Sequence, residues 1–65
     1  EEGIRDYALA AELGDGYSQF EYGKQLYHGV PSILSRNQTQ GLSWIRKAAE
    51  QGETGAQQFL VEVQE

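Results

Sequence analysis

The chain has no cysteine, one proline, one histidine and few basic residues. Without cysteine there is neither a disulfide framework nor a thiolate zinc site, and the redox compartment and cellular location stay open. His28 is the lone imidazole, and no Asp/Glu/His cluster has ligand spacing, so no metal is expected. Five Lys and Arg stand against ten Asp and Glu, for a net charge of −5. That balance argues against nucleic acid, whose affinity rests on basic contacts to phosphate, and against an anionic membrane surface. No apolar run approaches the ~20 residues that span a bilayer. The first residue is Glu1, and no signal-peptide pattern follows it.

Catalytic patterns are missing too. Ser18, Ser32, Ser35 and Ser43 have no histidine partner at motif spacing, and there is no G-x-S-x-G elbow. Neither G-x-x-x-x-G-K-[ST] nor G-x-G-x-x-G occurs, so no phosphate cradle and no cofactor is expected. We expect no enzyme here. A chain of 65 residues without staples must rely on regular helix packing or on partner chains. Tyr7, Tyr17, Tyr22, Tyr27, Phe20, Phe59 and Trp44 must then supply much of its core.

What is present is a repeat. Gly3–Gln25 and Gly41–Val63 align without a gap at an offset of 38 residues. Gly3, Ala10, Ala11, Glu12, Gly14 and Gln19 recur as Gly41, Ala48, Ala49, Glu50, Gly52 and Gln57. Ile4/Leu42, Tyr7/Ile45, Asp15/Glu53, Ser18/Ala56 and Tyr22/Leu60 are similar pairs. A period of this size marks helical solenoids. Glycines divide the chain into four periodic segments, about 2–13, 16–28, 38–51 and 54–64. Ile4, Tyr7, Ala8 and Ala11 form an apolar stripe on the first, and Leu42, Ile45, Ala48 and Ala49 on the third. Ala56, Phe59, Leu60 and Val63 do so on the fourth. Gly14, Gly29 and Gly52 read as C-terminal caps, and Asn37 with Gln40 as a capping box. Glu1, Glu2, Asp15 and Glu53 sit at segment starts, where negative charge is favoured. The expected fold is all-α: four antiparallel helices in pairs, stacked as an α–α superhelix.

S-Q-F-E-Y-G-K-Q-L-Y-H-G-V-P followed by Q-G-L-S-W-I-R-K-A-A-E-Q-G resembles the Sel-one-like repeat (SLR), a relative of the tetratricopeptide repeat built from helices A and B. Arg46–Gly52 and the preceding Trp44 carry the likeness most specifically, and it extends over about Gly3 to Val63. Ser18-Gln19-Phe20 and Tyr22-Gly23 occupy the A-Q-Y and L-G positions of helix A. In that frame residues 2–13 are a helix B, 16–51 a complete repeat and 54–64 a further helix A. The chain departs from the pattern at several places. Leu26 stands where the family has tyrosine, Asp6 where Trp44 has its equivalent, and the stretch after Gly29 lacks a second glycine. Val61 replaces the glycine that lets a next helix B approach closely.

The resemblance implies a protein–protein interaction module, an adaptor or scaffold, often bacterial, that binds a protein or peptide in a groove lined by helix A. The groove face of residues 16–28 is Tyr17, Phe20, Lys24, Tyr27 and His28, and its continuation on the last helix is Gln58 and Glu62. Aromatic anchors beside a cation suit a peptide with an acidic group. Phe20 and Tyr27 are equally open to packing on neighbouring helices, the commoner fate of aromatics at helical spacing. His28 near a helix C-terminus also has a structural role available, through the helix dipole. The alternative function is a structural or oligomerising segment with no groove partner, because exposed apolar ends favour self-association.

Overall fold

The computed structural model describes residues 2–63, and side chains from residue 5 onward. Ile4 of the first stripe and Gln64 at the end of the fourth segment lie outside those limits. Four helices are present: α1 (Glu2–Glu12), α2 (Gly16–His28), α3 (Gln38–Glu50) and α4 (Thr54–Val63). Among the described residues there is no strand, only an isolated Val30–Leu34 bridge. The fold is all-α. Helices α1 and α3 stop one residue earlier than the glycine spacing implies, because Leu13 and Gln51 serve as caps.

The 38-residue repeat is a repeat of hydrogen bonds. Gly14 N–H donates to Ala11 O (3.1 Å) and Asp15 N–H to Ala10 O (3.1 Å). One period later Gly52 N–H donates to Ala49 O (3.0 Å) and Glu53 N–H to Ala48 O (3.1 Å). This pairing satisfies carbonyls that a helix end leaves orphaned, and it needs a residue with positive φ after the cap. Gly14 (φ +102°) and Gly52 (φ +93°) supply it. The following glutamines repeat as well. Gln19 Nε2 donates to Ala11 O (3.1 Å), and Gln57 Nε2 to Ala49 O (3.0 Å). Each ties a helix to the last turn of the one before it.

Burial separates the two glutamines. Gln19 is 5% exposed, and its Oε1 also accepts from Gln51 Nε2 (2.9 Å), whereas Gln57 is exposed. Gln19→Ala is expected to cost about 1–3 kcal/mol, because the buried amide leaves and its partners, Ala11 O and Gln51 Nε2, stay behind without it. Gln57→Ala should cost about 0.5 kcal/mol or less. Urea unfolding of the two variants measures the difference, and equal costs would contradict the assignment.

Helix α2 is started by Asp15, whose Oδ2 accepts from Ser18 N–H (2.9 Å) and Ser18 Oγ–H (2.6 Å). Those bonds favour the charged carboxylate and hold its pKa below the ordinary value. A depressed carboxyl pKa contributes stability above the unfolded-state value, and that stability is lost as pH falls through the folded value. Asp15→Asn keeps a capping side chain but cannot titrate. The stability gap between the two proteins should therefore shrink below about pH 4. Denaturant midpoints across an acid series test this; a constant gap would refute it. Asn37 caps α3 by the same logic, its Oδ1 accepting from Gln40 N–H (3.0 Å). Only half of a capping box forms, because Asn37 N–H donates to Leu26 O (2.7 Å) instead. That bond ties the start of α3 to the end of α2.

Helices α2 and α3 are antiparallel neighbours. Gly16 lies against Gln51, the Tyr22 ring against Trp44 (5.8 Å), and Tyr27 against Gly41. The closest approach is glycine on glycine. A Cβ on Gly23 would lie 2.6 Å from Ile45 Cγ1 and 2.8 Å from Gly41 O. A Cβ on Gly41 would lie 2.7 Å from both Gly23 O and Tyr27 N. Beside this crossing sits the core of Ile45, Ala48 and Ala56, with Phe20, Ala49, Phe59 and Leu60 packed around it. The Cα envelope is 29 × 26 × 14 Å. A thickness of 14 Å is what two helix layers give at the usual 8–10 Å axial separation.

The connection from α2 to α3 folds on itself, with Val30 N–H donating to Leu34 O (2.7 Å) and Leu34 N–H to Val30 O (2.8 Å). In this connection Ser32 takes a positive φ of +66°, a conformation that glycine adopts more readily. A β-branched side chain tolerates that region poorly. Ser32→Val is expected to cost about 1–2 kcal/mol, with Ser32→Gly within about 0.5 kcal/mol of the parent. A thermal melt ranks them, and equal melting temperatures would count against the strain.

Candidate partner-binding face

Helix α2 presents two sides. Ser18 and Leu26 are buried, and Tyr22 is half-buried beside Trp44. The other side faces along α4, which runs parallel to it: Phe20 meets Gly55 and Phe59, and Tyr27 and His28 meet Phe59 farther on.

Four of the seven residues expected at the groove gather around Phe59. The Phe20 ring lies 6.2 Å from Phe59 at 73°, Tyr27 5.3 Å away at 87°, and His28 6.2 Å away at 79°. Edge-to-face contacts of this kind are worth about 0.5–1.5 kcal/mol each beyond their area. Lys24 Nζ sits 4.5 Å above the Phe20 ring and 3.5 Å from Glu21 Oε2. Phe20 and Tyr27 are half-buried, so they fill the seam between α2 and α4 while keeping an exposed edge. His28 is exposed.

The other three lie apart. Tyr17 is 52% exposed at the start of α2, and its ring meets Tyr7 of α1 at 6.2 Å. The Glu21 charge, and then hydrogen bonding with Tyr7, raise the pKa of its phenol. Gln58 and Glu62 are exposed on α4. Gln58 borders a shallow depression with Thr54, Gln57 and Val61.

Two contributors are absent from the expected groove set. Phe59 organises the cluster, and its helical spacing assigns it only to the core stripe of α4. The repeat offers a better signal, since Phe59 stands 38 residues after Glu21, on the face of α2 that carries Lys24. Gly55 is the second. A Cβ there would lie 2.8 Å from Phe20 Cε2, so its bareness lets that ring reach α4.

Chemically, the face offers aromatic edges, one ammonium and one imidazole, beside the carboxylate of Glu21. No group of three His, Cys, Asp or Glu among the described residues is placed to hold a metal ion. No helix there is long and apolar enough to cross a membrane. No family model matches the chain, and no curated protein or solved structure matches it either.

Proposed function

We propose that the chain is a protein–protein interaction module, an SLR-type segment of a superhelical array that binds a peptide or protein along the groove between α2 and α4. The observation that carries the reading is the aromatic seam. Phe20, Tyr27, His28 and Phe59 converge from two parallel helices, with Lys24 above one ring. Rigid aromatics beside a cation are the anchors that interfaces favour. The repeated capping bonds support the array, because they set successive helix pairs in one register. The module acts by binding, as adaptor or scaffold, and performs no chemistry.

The test is selection of peptides from a displayed library on the intact chain. The selected peptides should carry an acidic residue. Lys24→Glu should weaken them about tenfold, or ~1.4 kcal/mol, with only a small drop in the thermal melt from the lost pair with Glu21 and the lost contact over Phe20. Peptides that bind the Lys24→Glu and His28→Ala variants as tightly as the parent would sink the groove.

A second reading, an oligomerising segment, draws on the exposure of Leu9 (61%), Leu13 (80%) and Val61 (73%). Sedimentation over a range of concentrations separates the two. A monomer throughout would remove self-association.

A further inference from the structure

The connection from α2 to α3 builds a cavity that shares only His28 with the groove. Nine residues, Gly29–Asn37, link these two helices, whereas the other two connections take three each. Antiparallel neighbours do not need such a length. The loop is closed at its base: Asn37 N–H donates to Leu26 O (2.7 Å), and a Cβ on Gly29 would lie 3.0 Å from Arg36 N. The Val30–Leu34 bridge pins its two arms together. The loop encloses an open-sided space of about 470 Å³, lined by His28 and residues 29–36. That volume lies in the range of small-ligand pockets. The lining is one unbroken stretch of chain, so the walls need nothing before α1 or after α4.

The lining specifies the ligand. Val30, Pro31, Ile33 and Leu34 make part of it apolar, and Ser32, Ser35 and Arg36 make part of it polar. No Asp or Glu lines it. Between Glu21 and Glu50 the chain has no acidic residue at all, yet it carries four of its five Lys and Arg there. In a chain of net charge −5 that partition favours an anion here and disfavours one near either end. Arg36 is exposed and, among the described residues, pairs with no carboxylate; the ion pair present is Lys24–Glu21. Ser32 is a separate pointer. Glycine would relieve its φ of +66°, yet the cavity wall keeps a hydroxyl at that place. Backbone held in such a conformation clusters at ligand sites.

We infer that the α2–α3 loop binds a small monocarboxylic acid with an aliphatic or aromatic body. The carboxylate pairs with the Arg36 guanidinium, whose planar fork offers it two parallel N–H donors. The Ser32 hydroxyl is a further donor. The body lies against Val30, Pro31, Ile33 and Leu34, and burial of its apolar surface supplies the rest of the affinity. A phosphate fits less well, because a dianion beside a single guanidinium is left undercompensated.

The probe is phenylbutyrate, titrated into the intact chain and followed by backbone amide shifts, with phenylbutyramide as its neutral counterpart. Saturable shifts centred on residues 28–36 are expected, at a millimolar dissociation constant or tighter for a ligand of this size. The neutral amide should bind about tenfold more weakly, because hydrogen bonds to a charged group are lost. Arg36→Gln should weaken the acid about tenfold too, while leaving the neutral amide unchanged. Ser32→Gly should weaken the acid about threefold. Arg36 and Ser32 are both exposed, so the circular-dichroism melts should stay with the parent. Lys24→Glu, aimed at the groove, should leave the acid bound as in the parent, which separates the two sites. Four results would overturn the inference. They are no saturable shift, equal binding of acid and amide, full affinity in Arg36→Gln, or shifts centred on Phe59 that Lys24→Glu abolishes, which would assign the acid to the groove.

Discussion

Gly41→Ala is expected to destabilise the chain markedly, although alanine is the better helix former. Two physical effects oppose each other at this position. Helix propensity predicts a gain of about 0.5–1 kcal/mol, because glycine in a helix interior costs that much relative to alanine. The added methyl predicts a loss, since its Cβ would lie 2.7 Å from Gly23 O, 2.7 Å from Tyr27 N and 3.0 Å from Tyr27 Cα. All three are backbone atoms, so no rotamer change relieves the contact. The helices must separate, and the Tyr22–Trp44 and Gly23–Ile45 contacts separate with them. Overpacking of this kind costs about 1–3 kcal/mol, more where backbone is the obstacle. A core in a chain this small supplies about 3–5 kcal/mol in all. The methyl therefore outweighs the propensity, and a substantial share of the stability goes with it. Circular dichroism with urea titration gives the sign directly. A Gly41→Ala chain as stable as the parent would mean that α2 and α3 do not approach through their glycines.

The same residue marks the limit of what sequence pattern conveys. The four helices are legible because glycines close them and because Ala10-Ala11-Glu12 recurs as Ala48-Ala49-Glu50. Gly14 and Gly52 are legible as caps because a positive φ is a local demand that glycine meets. Gly41 is different. Within its own helix it is only a weak helix former, and its use becomes visible when Gly23 is seen opposite. Phe59 is the parallel case at the candidate site. Its spacing on α4 marks a core position, whereas its contacts with Phe20, Tyr27 and His28 depend on how α2 lies beside α4. Gln19 is a polar residue, yet it is buried, and the turn carbonyl of Ala11 and the side chain of Gln51 both reach it. Local periodicity locates elements. The residues that join them are chosen by a partner distant in sequence, and the 38-residue offset is the only trace of that choice in a single chain.

Ile45→Ala should be the most damaging truncation of a side chain. Ile45 is the largest fully buried side chain, at 0% exposure, and its core neighbours Ala48 and Ala56 are small. It touches Gly23 of α2 and the cluster shared with α4, so one side chain joins three helices. Removing it costs about 2–5 kcal/mol in transfer and cavity terms, comparable with the whole stability of the unit. Phe20 and Phe59 are held by their own edge contacts and cannot collapse fully into the space. A double-mutant cycle gives the sharper test. Gly23→Ala alone drives its methyl to 2.6 Å from Ile45 Cγ1. With Ile45→Ala in the same chain that clash disappears, while the 2.8 Å contact with Gly41 O remains. The pair should therefore be less destabilised than the sum of the singles by about 1 kcal/mol or more, and still less stable than the parent. An excluded osmolyte such as trimethylamine N-oxide keeps the singles folded enough to measure. Strict additivity would show that Ile45 and Gly23 do not share the crossing, and the packing of α2 on α3 would have to be redrawn.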